Sequence, residues 1–551
     1  MNAQMPSAVL IERGIRIPAQ DGVVLVADLY RPQVAIPVPA LLQQIPYGRS
    51  YSAMSIVDAG LEPIAAAEAG FAVIITDVRG TGESHGQFTL FEGAGGDGAA
   101  VASWIVNQPW SDGSICTYGT SFSGYTALAT AAASPHVTAS STLLTGGLLP
   151  HRDFTRTNGM LNLGFLAYWA LAGLGDVRTT THSADESSAT TRDAAINNID
   201  EIYTATPVIH ALSYDLAPTW RSLVYGMGDD PVDTVPPPTL SYTGWYDIFL
   251  RAALDRWTVL NARFPDPRHR LVIGPWSHGN FSDSVGGVFM GAHAALSAHA
   301  ASQTRLDFFR RVIDGEQPGG EAVTYFVQGA GTWASAPSWP PPAAAKISFA
   351  VLDSGLCRID RDSPGTGRLD KVLQADPYDP VPTVSGNTYL PGVVQSLNGG
   401  PRDRSQIHTR PDVLIFDSPV LDQPLLLAGP VVLTIDIDTD APSFDLHAHL
   451  CELTADGRAR PFTDGATRVV QGQGRSDAAV NVEMNDTCIR VPAGARLRLE
   501  ISTSDFPRYD RNPHNGVDAL TATADDFTPV RLRLTGSKAG SATLELLVLP
   551  T

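Results

Sequence analysis

The chain has 551 residues, enough for three or four structural units at roughly 150 residues per domain. Acidic residues outnumber basic ones by 57 to 38, the formal net charge is −19, and 43% of the residues are hydrophobic. These values are typical of a globular protein with a large core, whose acidic surface repels phosphate backbones and anionic lipid. Nucleic acid and membrane surfaces are therefore not expected as partners. The chain opens with no basic-then-apolar segment and has no run of about 18 apolar residues, so we expect a soluble, cytoplasmic protein.

Cysteine and histidine spacing argues against a disulfide scaffold and against a metal site. The four cysteines lie far apart and form no CxxC pair, which excludes a cysteine-rich zinc module. His447 and His449 share one face of a predicted strand, but no third ligand lies nearby in the sequence. We interpret both histidines as surface or packing residues.

Strand-like and helix-like stretches alternate through the first third of the chain. Short, largely apolar runs at residues 40–45, 72–78 and 115–118 predict strands. Asp97 is a candidate helix N-cap, and the alanine-rich run 125–133 predicts a second helix. Strands that alternate with helices indicate a parallel sheet covered on both faces.

The pattern changes to helical over residues 146–235. Helix-like stretches occur at residues 161–174 and 194–204, and residues 151–235 contain no clear strand. A proline run at residues 236–238 ends this block. A helical block inserted into an α/β unit predicts a cap over the active face.

The α/β pattern resumes after the proline run and gives way to an all-β region. We assign residues 1–145 and 236–342 to one α/β core, and the proline-rich stretch from Pro337 onward to a linker. Residues 343–551 then read as a jelly-roll β-sandwich, because apolar and polar residues alternate between turn residues. Its clearest predicted strands are residues 431–437, 446–453, 496–502 and 542–549.

Two serines compete for the role of nucleophile. A strand enters residues 119–124 (GTSFSG) and a helix leaves them, as in a nucleophile elbow, where small residues must flank the serine. The literal G-x-S-x-G match is elsewhere, at residues 82–86 (GESHG), but Ser84 lies several residues beyond its strand and no helix follows directly. We predict Ser121 as the nucleophile and interpret Ser84 as a chance turn residue.

The general base and its carboxylate follow the serine in the order acid, then histidine. Asp247 comes just after the predicted strand 239–244, and His278 lies in the loop after the next strand, 271–274. A serine hydroxyl needs a histidine to take its proton, and the histidine needs a carboxylate to fix its tautomer. Ser121, Asp247 and His278 therefore form the predicted triad. Rival histidines without this placement are His85, His136, His151 and His182.

Acyl transfer also needs two donors aimed at the oxyanion. One donor is predicted to be the backbone N–H of Phe122, the residue after the nucleophile. The other normally comes from the loop after an earlier strand, which reads IPYGR at residues 45–49 and has no HGGG motif. The phenol of Tyr47 is a candidate donor there, although a packing aromatic explains it equally well.

With these segments assembled, nearly the whole chain resembles the cocaine-esterase and X-Pro dipeptidyl-peptidase group of serine hydrolases. The resemblance implies an α/β-hydrolase core, a helical cap and a C-terminal jelly roll. It also implies that Tyr47 is an oxyanion donor, that the Ser84 loop is structural, and that Trp169 and Phe249 line the acyl pocket. For Trp169, a buried cap aromatic is the alternative. The segments that carry the resemblance are Pro46-Tyr47 and residues 77–84 (DVRGTGES), 119–124 (GTSFSG), 244–247 (GWYD), 274–278 (GPWSH) and 504–513 (SDFPRYDRNP).

Members of this group differ in whether they bind a substrate ammonium. α-Amino acid ester hydrolases and X-Pro dipeptidyl peptidases do so, and they need carboxylates close to the acyl site. Here Asp247 is followed by an apolar patch that ends in Arg251, although cap acids could substitute. Those cap acids are Asp176, Asp185 and Glu186.

We therefore predict a carboxylesterase for small-molecule esters of neutral or aromatic acids, with no metal or organic cofactor. One alternative is an ammonium-binding or amide-cleaving member of the group. A catalytically silent protein that binds carbohydrate or a partner through its β-sandwich is the other. The oligomeric state stays open, a homodimer included.

Overall fold

The computed structural model describes residues 8–49, 61–147, 154–169, 236–360, 365, 367–389, 398–471, 479–519, 522–536 and 542–550. The helices are α1 (Pro63–Glu68), α2 (Ala94–Val106), α3 (Phe122–Ala133), α4 (Leu163–Tyr168), α5 (Leu250–Arg263) and α6 (Ala301–Ile313). The strands up to residue 336 are β1 (Val9–Pro18), β2 (Val24–Pro32), β3 (Val38–Ile45), β4 (Ala72–Asp77), β5 (Ser111–Thr120), β6 (Val137–Leu143), β7 (Arg156–Thr157), β8 (Met160–Leu161), β9 (Thr239–Tyr246), β10 (Arg270–Ser277), β11 (Ser284–Val285), β12 (Val288–Phe289), β13 (Val323–Val327) and β14 (Thr332–Ala336). None of the described helices is long and apolar enough to cross a membrane.

A ten-stranded sheet forms the first unit, in the order β1-β2-β4-β3-β5-β6-β9-β10-β13-β14. The pairs from β4 to β13 are parallel, and the strands at each edge pair antiparallel. The C-terminal ends of β5, β9 and β10 therefore lie at one edge of the sheet, where an open α/β sheet binds its ligands.

Both faces of this sheet are covered, as the alternation along β4 requires. Val73 and Ile75 pack into a cluster that also contains residues of α1 and α6. Ala72 and Ile74 pack into a second cluster on the opposite face, with Val101 of α2. The prediction of a mostly parallel sheet between helical layers is confirmed.

The N-cap predicted for helix α2 is wrong. Helix α2 begins at Ala94 with Gly93 as its N-cap, so Asp97 lies inside the first turn. Its carboxylate instead accepts a hydrogen bond from Nε of Arg79 at 2.9 Å. Gly93 adopts φ +79°, a left-handed conformation that glycine reaches without strain and that starts the helix one turn earlier than the Asp97 signal indicates.

The second unit is a two-layered β-sandwich. Its strands are β15 (Ala345–Leu352), β16 (Gly355–Ile359), β17 (Asp370–Ala375), β18 (Gly386–Tyr389), β19 (Asn398–Gly400), β20 (Val413–Asp417), β21 (Leu425–Asp438), β22 (Ser443–Leu453), β23 (Ala459–Val470), β24 (Val480–Val491), β25 (Arg496–Ser502), β26 (Val530–Thr535) and β27 (Ala542–Leu549). One sheet has the order β16-β15-β27-β21-β26-β17, with β24 also paired to β21, and the other has the order β20-β25-β22-β23. Both sheets contribute to one core, for example through Leu433 of β21 and Leu446 of β22. The predicted C-terminal β-sandwich is confirmed.

Most of the predicted cap, residues 148–153 and 170–235, lies outside the described residues, including the helix expected at 194–204. Within the described part, β7 and β8, each of two residues, pair antiparallel in a short hairpin where no strand was expected. Helix α4 falls inside the helix expected at 161–174. The segment 154–169 is joined to the sandwich, because Leu161 N donates to Oδ1 of Asp510 at 2.7 Å and Asp510 N donates to Leu161 O at 3.1 Å.

Candidate active site

Ser121 lies at a strained turn between β5 and α3. Its backbone has φ 54° and ψ −121°, a conformation that costs about 1–3 kcal/mol for a non-glycine residue. The turn is closed by the Ser121 N–H, which donates to Leu143 O at 3.0 Å. The strain lifts the Ser121 hydroxyl above the C-terminal edge of the sheet, where the N-terminus of α3 stabilises negative charge.

The glycines on either side of the turn are required by close contacts. A Cβ at Gly119 would lie 2.1 Å from Ser123 O, and a Cβ at Gly124 would lie 2.7 Å from Cβ of Thr145. Thr145 in turn donates its hydroxyl to Ser121 O at 2.7 Å. The contact with Thr145 therefore requires a glycine at position 124, one place later than in G-x-S-x-G.

The structure brings the three predicted triad residues together. The Ser121 hydroxyl lies 3.0 Å from Nε2 of His278, and Nδ1 of His278 lies 2.7 Å from Oδ1 of Asp247. A carboxylate oxygen only accepts, so Nδ1 carries the imidazole proton and Nε2 is left to accept the serine proton. The Asp247 side chain is fully buried and that of His278 is 7% exposed, which keeps this chain of hydrogen bonds away from bulk water.

Tyr47 lies beside this group, on the loop after β3. Its phenol oxygen accepts a hydrogen bond from Nε1 of Trp169 at 2.9 Å, and its ring packs against the aromatic cluster that contains Phe122. The Phe122 N–H stands at the first position of α3, where an amide has no partner within the helix. The two predicted oxyanion donors therefore belong to segments that follow two different strands, β3 and β5.

The Tyr47 loop is fixed by a buried ion cluster. The backbone N–H of Arg49 donates to Oδ1 of Asp77 at 2.6 Å, and its Nε donates to Oδ1 of Asp28 at 2.8 Å. Burial raises the pKa of Asp77, although backbone hydrogen bonds and the Arg49 charge act in the opposite direction. Because Arg49 is two residues from Tyr47, this cluster anchors the main chain of the loop that carries Tyr47.

Ser84 is a structural residue in this fold. Its hydroxyl donates to Asp77 O at 2.7 Å and accepts from Val26 N at 2.9 Å, and the side chain is buried. Both hydrogen bonds join the loop 77–84 to the neighbouring strands β2 and β4. The literal G-x-S-x-G match is thus a turn that joins two strands, and no histidine in the described part of the chain bonds to its hydroxyl.

Aromatic rings form the wall of a small cavity beside Ser121. The cavity has an empty volume of about 280 Å³, and its described lining contains no charged side chain. Phe249 stacks on Phe154 at 5.5 Å and meets the His278 ring edge-to-face at 5.1 Å. Trp169 stacks on Phe122 at 6.0 Å. Phe249 is one of the residues that line the cavity, whereas Trp169 packs behind that wall and contacts Tyr47.

Several residues at the site were missed in the sequence. Phe91 precedes α2, Phe154 begins the described cap segment, and Phe165 lies on α4, so no periodic pattern connects them with Ser121. Tyr389 comes from the β-sandwich and places its ring 5.0 Å from that of His278. Aromatic residues in irregular segments were the one available signal, and that signal does not distinguish a pocket from a core.

Arg251 points away from the cavity. Its guanidinium pairs with Glu483 at 3.1 Å and donates to the backbone oxygens of Glu483 and Met484 on β24. The cation that closes the apolar patch after Asp247 therefore joins the two units and does not face the acyl site.

The two sandwich histidines lie on β22 and are buried. His447 is 2% exposed and His449 is 1% exposed, so the surface alternative for them is wrong. In the part of the chain that the structure describes, no group of three or more His, Cys, Asp or Glu residues is placed to hold a metal ion.

The chain is similar to known proteins over most of its length. The X-Pro dipeptidyl-peptidase (S15 family) model matches residues 21–280, and the X-Pro dipeptidyl-peptidase C-terminal non-catalytic domain matches residues 319–539. The cocaine esterase of Rhodococcus sp. (strain MB1 Bresler) is 27% identical over 544 residues, which cover 92% of this chain and 93% of that protein.

Two solved structures share the fold over the full length. An α-amino acid ester hydrolase is 19% identical with a TM-score of 0.78, covering 100% of this chain and 98% of that one. An aminopeptidase from a marine sediment archaeon (Thaumarchaeota archaeon) is 19% identical with a TM-score of 0.78, covering 99% of this chain and 97% of that one. The fold is an α/β-hydrolase core with a C-terminal β-sandwich. Together with the two family matches, this places the chain in the cocaine-esterase and X-Pro dipeptidyl-peptidase group of serine hydrolases, to which it belongs.

Proposed function

We propose that the chain is a carboxylesterase that hydrolyses esters of neutral or aromatic acids through an acyl-enzyme. The observation that carries this proposal is the hydrogen-bonded chain from Ser121 through His278 to Asp247. A serine hydroxyl bonded to a buried, carboxylate-oriented imidazole is the arrangement that acyl transfer requires.

In the proposed mechanism, the Ser121 oxygen attacks the ester carbonyl while His278 accepts its proton at Nε2. The developing oxyanion is stabilised by the Phe122 N–H and the Tyr47 phenol. His278 then gives the proton to the leaving alcohol, and Asp247 stabilises the transient imidazolium through the 2.7 Å hydrogen bond to Nδ1. A water molecule activated by His278 releases the acid in the second half of the reaction.

The preference for neutral acyl groups is supported by the chemistry of the cavity. A substrate ammonium needs a carboxylate within hydrogen-bond reach. The described lining of the cavity contains aromatic rings but no carboxylate. Aromatic rings offer a large apolar contact area, which favours an apolar or aromatic acyl group. The cocaine esterase relative is likewise named for an ester substrate.

A second candidate is hydrolysis of amine-bearing esters or peptides. It is favoured by the family model, which is that of an X-Pro dipeptidyl-peptidase, and by the fold shared with an α-amino acid ester hydrolase. It needs an acid from the cap, and the three candidates Asp176, Asp185 and Glu186 lie outside the described residues. A silent binding protein is disfavoured because the strained Ser121 turn would have no use in a protein without catalysis.

The experiment is a comparison of kcat/KM for p-nitrophenyl acetate, p-nitrophenyl benzoate, an alanine p-nitrophenyl ester and alanyl-prolyl p-nitroanilide. We expect both neutral esters to exceed the alanine ester and the anilide. A higher kcat/KM for either amine-bearing substrate would favour the second candidate. No turnover of any of the four, together with no reaction with a fluorophosphonate, would favour the silent protein.

A further inference from the structure

A strand of the β-sandwich contacts the loop that carries the acid of the triad. Asn387 lies on β18, far from Asp247 in the chain, and is 4% exposed. Its Nδ2 donates to Trp245 O at 3.0 Å and to Asp247 O at 2.8 Å. Both neighbours of this nitrogen are carbonyl oxygens, so the amide orientation is unambiguous and both of its protons are used.

The Asp247 carboxylate depends on its backbone for orientation. Its Oδ1 accepts from His278, but its buried Oδ2 has no hydrogen-bond partner among the residues that the structure describes. With only one hydrogen bond on the buried carboxylate, the position of the main chain decides where Oδ1 lies relative to His278. The main chain at this turn is held by the Asp247 N–H bond to Gly244 O at 3.0 Å and by the two bonds from Asn387.

Asn387 is itself held rigidly by a buried ion pair of the sandwich. Its backbone N–H donates to Oδ2 of Asp464 at 3.1 Å, and Oδ1 of Asp464 pairs with Arg508 at 2.8 Å. The approach is so close that a Cβ at Gly386 would lie 2.2 Å from Oδ2 of Asp464. Arg508 belongs to residues 504–513, the segment singled out in the sequence, so that segment is connected to the active site through one carboxylate and one amide.

The same strand also reaches the base of the triad. Tyr389, two residues after Asn387, meets the His278 ring edge-to-face at 5.0 Å. A Cβ at Gly279 would lie 2.6 Å from the Tyr389 ring, so the loop after β10 fits closely around it. Strand β18 therefore touches the segments of both the acid and the histidine.

We infer that Asn387 of the β-sandwich is a positioning residue for catalysis, which holds the main chain of Asp247 so that its carboxylate meets Nδ1 of His278. This inference rests on the proposed function, in which Asp247 orients His278. It gives the C-terminal unit a part in catalysis that Asn387 exerts through Asp247, without contact with the substrate.

The test replaces Asn387 with leucine, a side chain of similar volume without donors. In N387L we expect kcat for p-nitrophenyl acetate to fall about 10- to 100-fold with little change in KM, since a misplaced base slows the chemical steps rather than binding. N387S, which is smaller and keeps one hydroxyl donor, serves if the leucine variant does not fold. It is expected to lose less kcat than the leucine variant.

The matched control is S418A. Ser418 is 1% exposed and lies in the same unit, where its hydroxyl accepts from Leu497 N at 2.9 Å and donates to Pro419 O at 2.7 Å, both within the sandwich. We expect its melting temperature to fall, because it also loses buried hydrogen bonds, while its kcat stays within about two-fold of wild type. An equal loss of kcat in both variants would reduce the Asn387 effect to general destabilisation and overturn the inference.

A second readout does not depend on turnover. The Nδ1 proton that His278 shares with Asp247 should give a proton NMR signal downfield of the amide region. We expect this signal in the wild type and S418A, and its loss or displacement in N387L or N387S. If wild-type turnover does not depend on Ser121, the proposed function fails. If turnover depends on Ser121 while the Asn387 variants keep wild-type kcat and the downfield proton, the esterase stands and the positioning role is refuted.

Discussion

The indole Nε1–H of Trp169 donates to the phenol oxygen of Tyr47 at 2.9 Å. A phenol oxygen that accepts one hydrogen bond retains its own O–H as a donor. The indole therefore restricts rotation of the phenol that we propose as an oxyanion donor. The Trp169 ring also stacks on Phe122 at 6.0 Å, so one residue contacts both the acyl-pocket wall and a proposed oxyanion donor.

This relationship predicts that Tyr47 and Trp169 act as a unit. In Y47F we expect kcat to fall about 100-fold, as when an oxyanion donor is removed. In W169F we expect a smaller loss, about 10-fold, because the orienting N–H is removed while the phenol keeps its own O–H; the smaller phenyl ring still provides an aromatic contact. The double variant should be no slower than Y47F alone, because the indole has no phenol oxygen left to orient. Losses that multiply in the double variant, or near-normal kcat in Y47F, would contradict the pairing.

The rings around Ser121 predict a change of acyl specificity in F154A. Phe154 stacks on Phe249 at 5.5 Å and meets Phe91 edge-to-face at 5.2 Å, so its ring fills space beside a cavity of about 280 Å³. Removal of that ring should raise the ratio of kcat/KM for p-nitrophenyl benzoate to that for p-nitrophenyl acetate about 10-fold. The acetate rate in the same variant is the internal control for folding. A ratio that stays constant or falls would show that Phe154 does not limit acyl size.

Ser84 provides a contrast to Ser121. In S84A the buried backbone N–H of Val26 loses its acceptor, so we expect a stability loss of about 1–3 kcal/mol in denaturant unfolding. Turnover of p-nitrophenyl acetate at a temperature where the variant is folded should remain near wild type. Abolished turnover in a folded S84A protein would reopen the choice between the two serines.

A half-buried carboxyl on β24, that of Asp486, predicts how stability depends on pH. Burial raises the pKa of Asp486 from 3.8 to about 6, while the hydrogen bond from Nε1 of Trp339 at 2.8 Å and the Arg251 charge act against that rise. Because the folded-state pKa lies above the unfolded one, the folded chain holds the proton more tightly. This group therefore lowers stability progressively as the pH rises from about 4 to about 6, and by a constant amount above that.

The variant D486N tests this dependence, because asparagine keeps an oxygen acceptor for Trp339 and does not ionise. We expect its melting temperature to exceed that of wild type at pH 8, with the difference shrinking towards pH 4. A difference of the same size at both pH values would mean that ionisation of Asp486 is not its cause.

Much of the first unit was predictable because its strands carry local signals. The strands expected at 72–78 and 239–244 correspond to β4 and β9, and in the second unit the bounds of β25 and β27 agree with the residues expected from the sequence. Ser121, Asp247 and His278 were predictable as a set because parallel strands present their C-terminal ends at one edge of the sheet. Chain order and strand ends were sufficient to select them from many serines and histidines.

The remaining parts of the site depend on contacts between distant segments. Asn387 and Tyr389 lie on a four-residue strand of the sandwich, and nothing in their neighbourhood indicates that they reach the triad. Phe154 has no periodic pattern around it, so its place in the pocket wall follows from how the segment 154–169 docks on Asp510. The Asp97 prediction failed for a related reason, since a carboxylate suited to an N-cap was used by Arg79 instead.

The most direct test of the central claim is the site of acylation. Wild-type protein treated with a fluorophosphonate should gain one adduct by intact mass, and peptide mapping should place it on Ser121. S121A should gain none, and S84A should be labelled as fully as wild type. An adduct on Ser84, or no adduct on folded wild-type protein, would contradict the assignment of Ser121 as the nucleophile of a serine esterase.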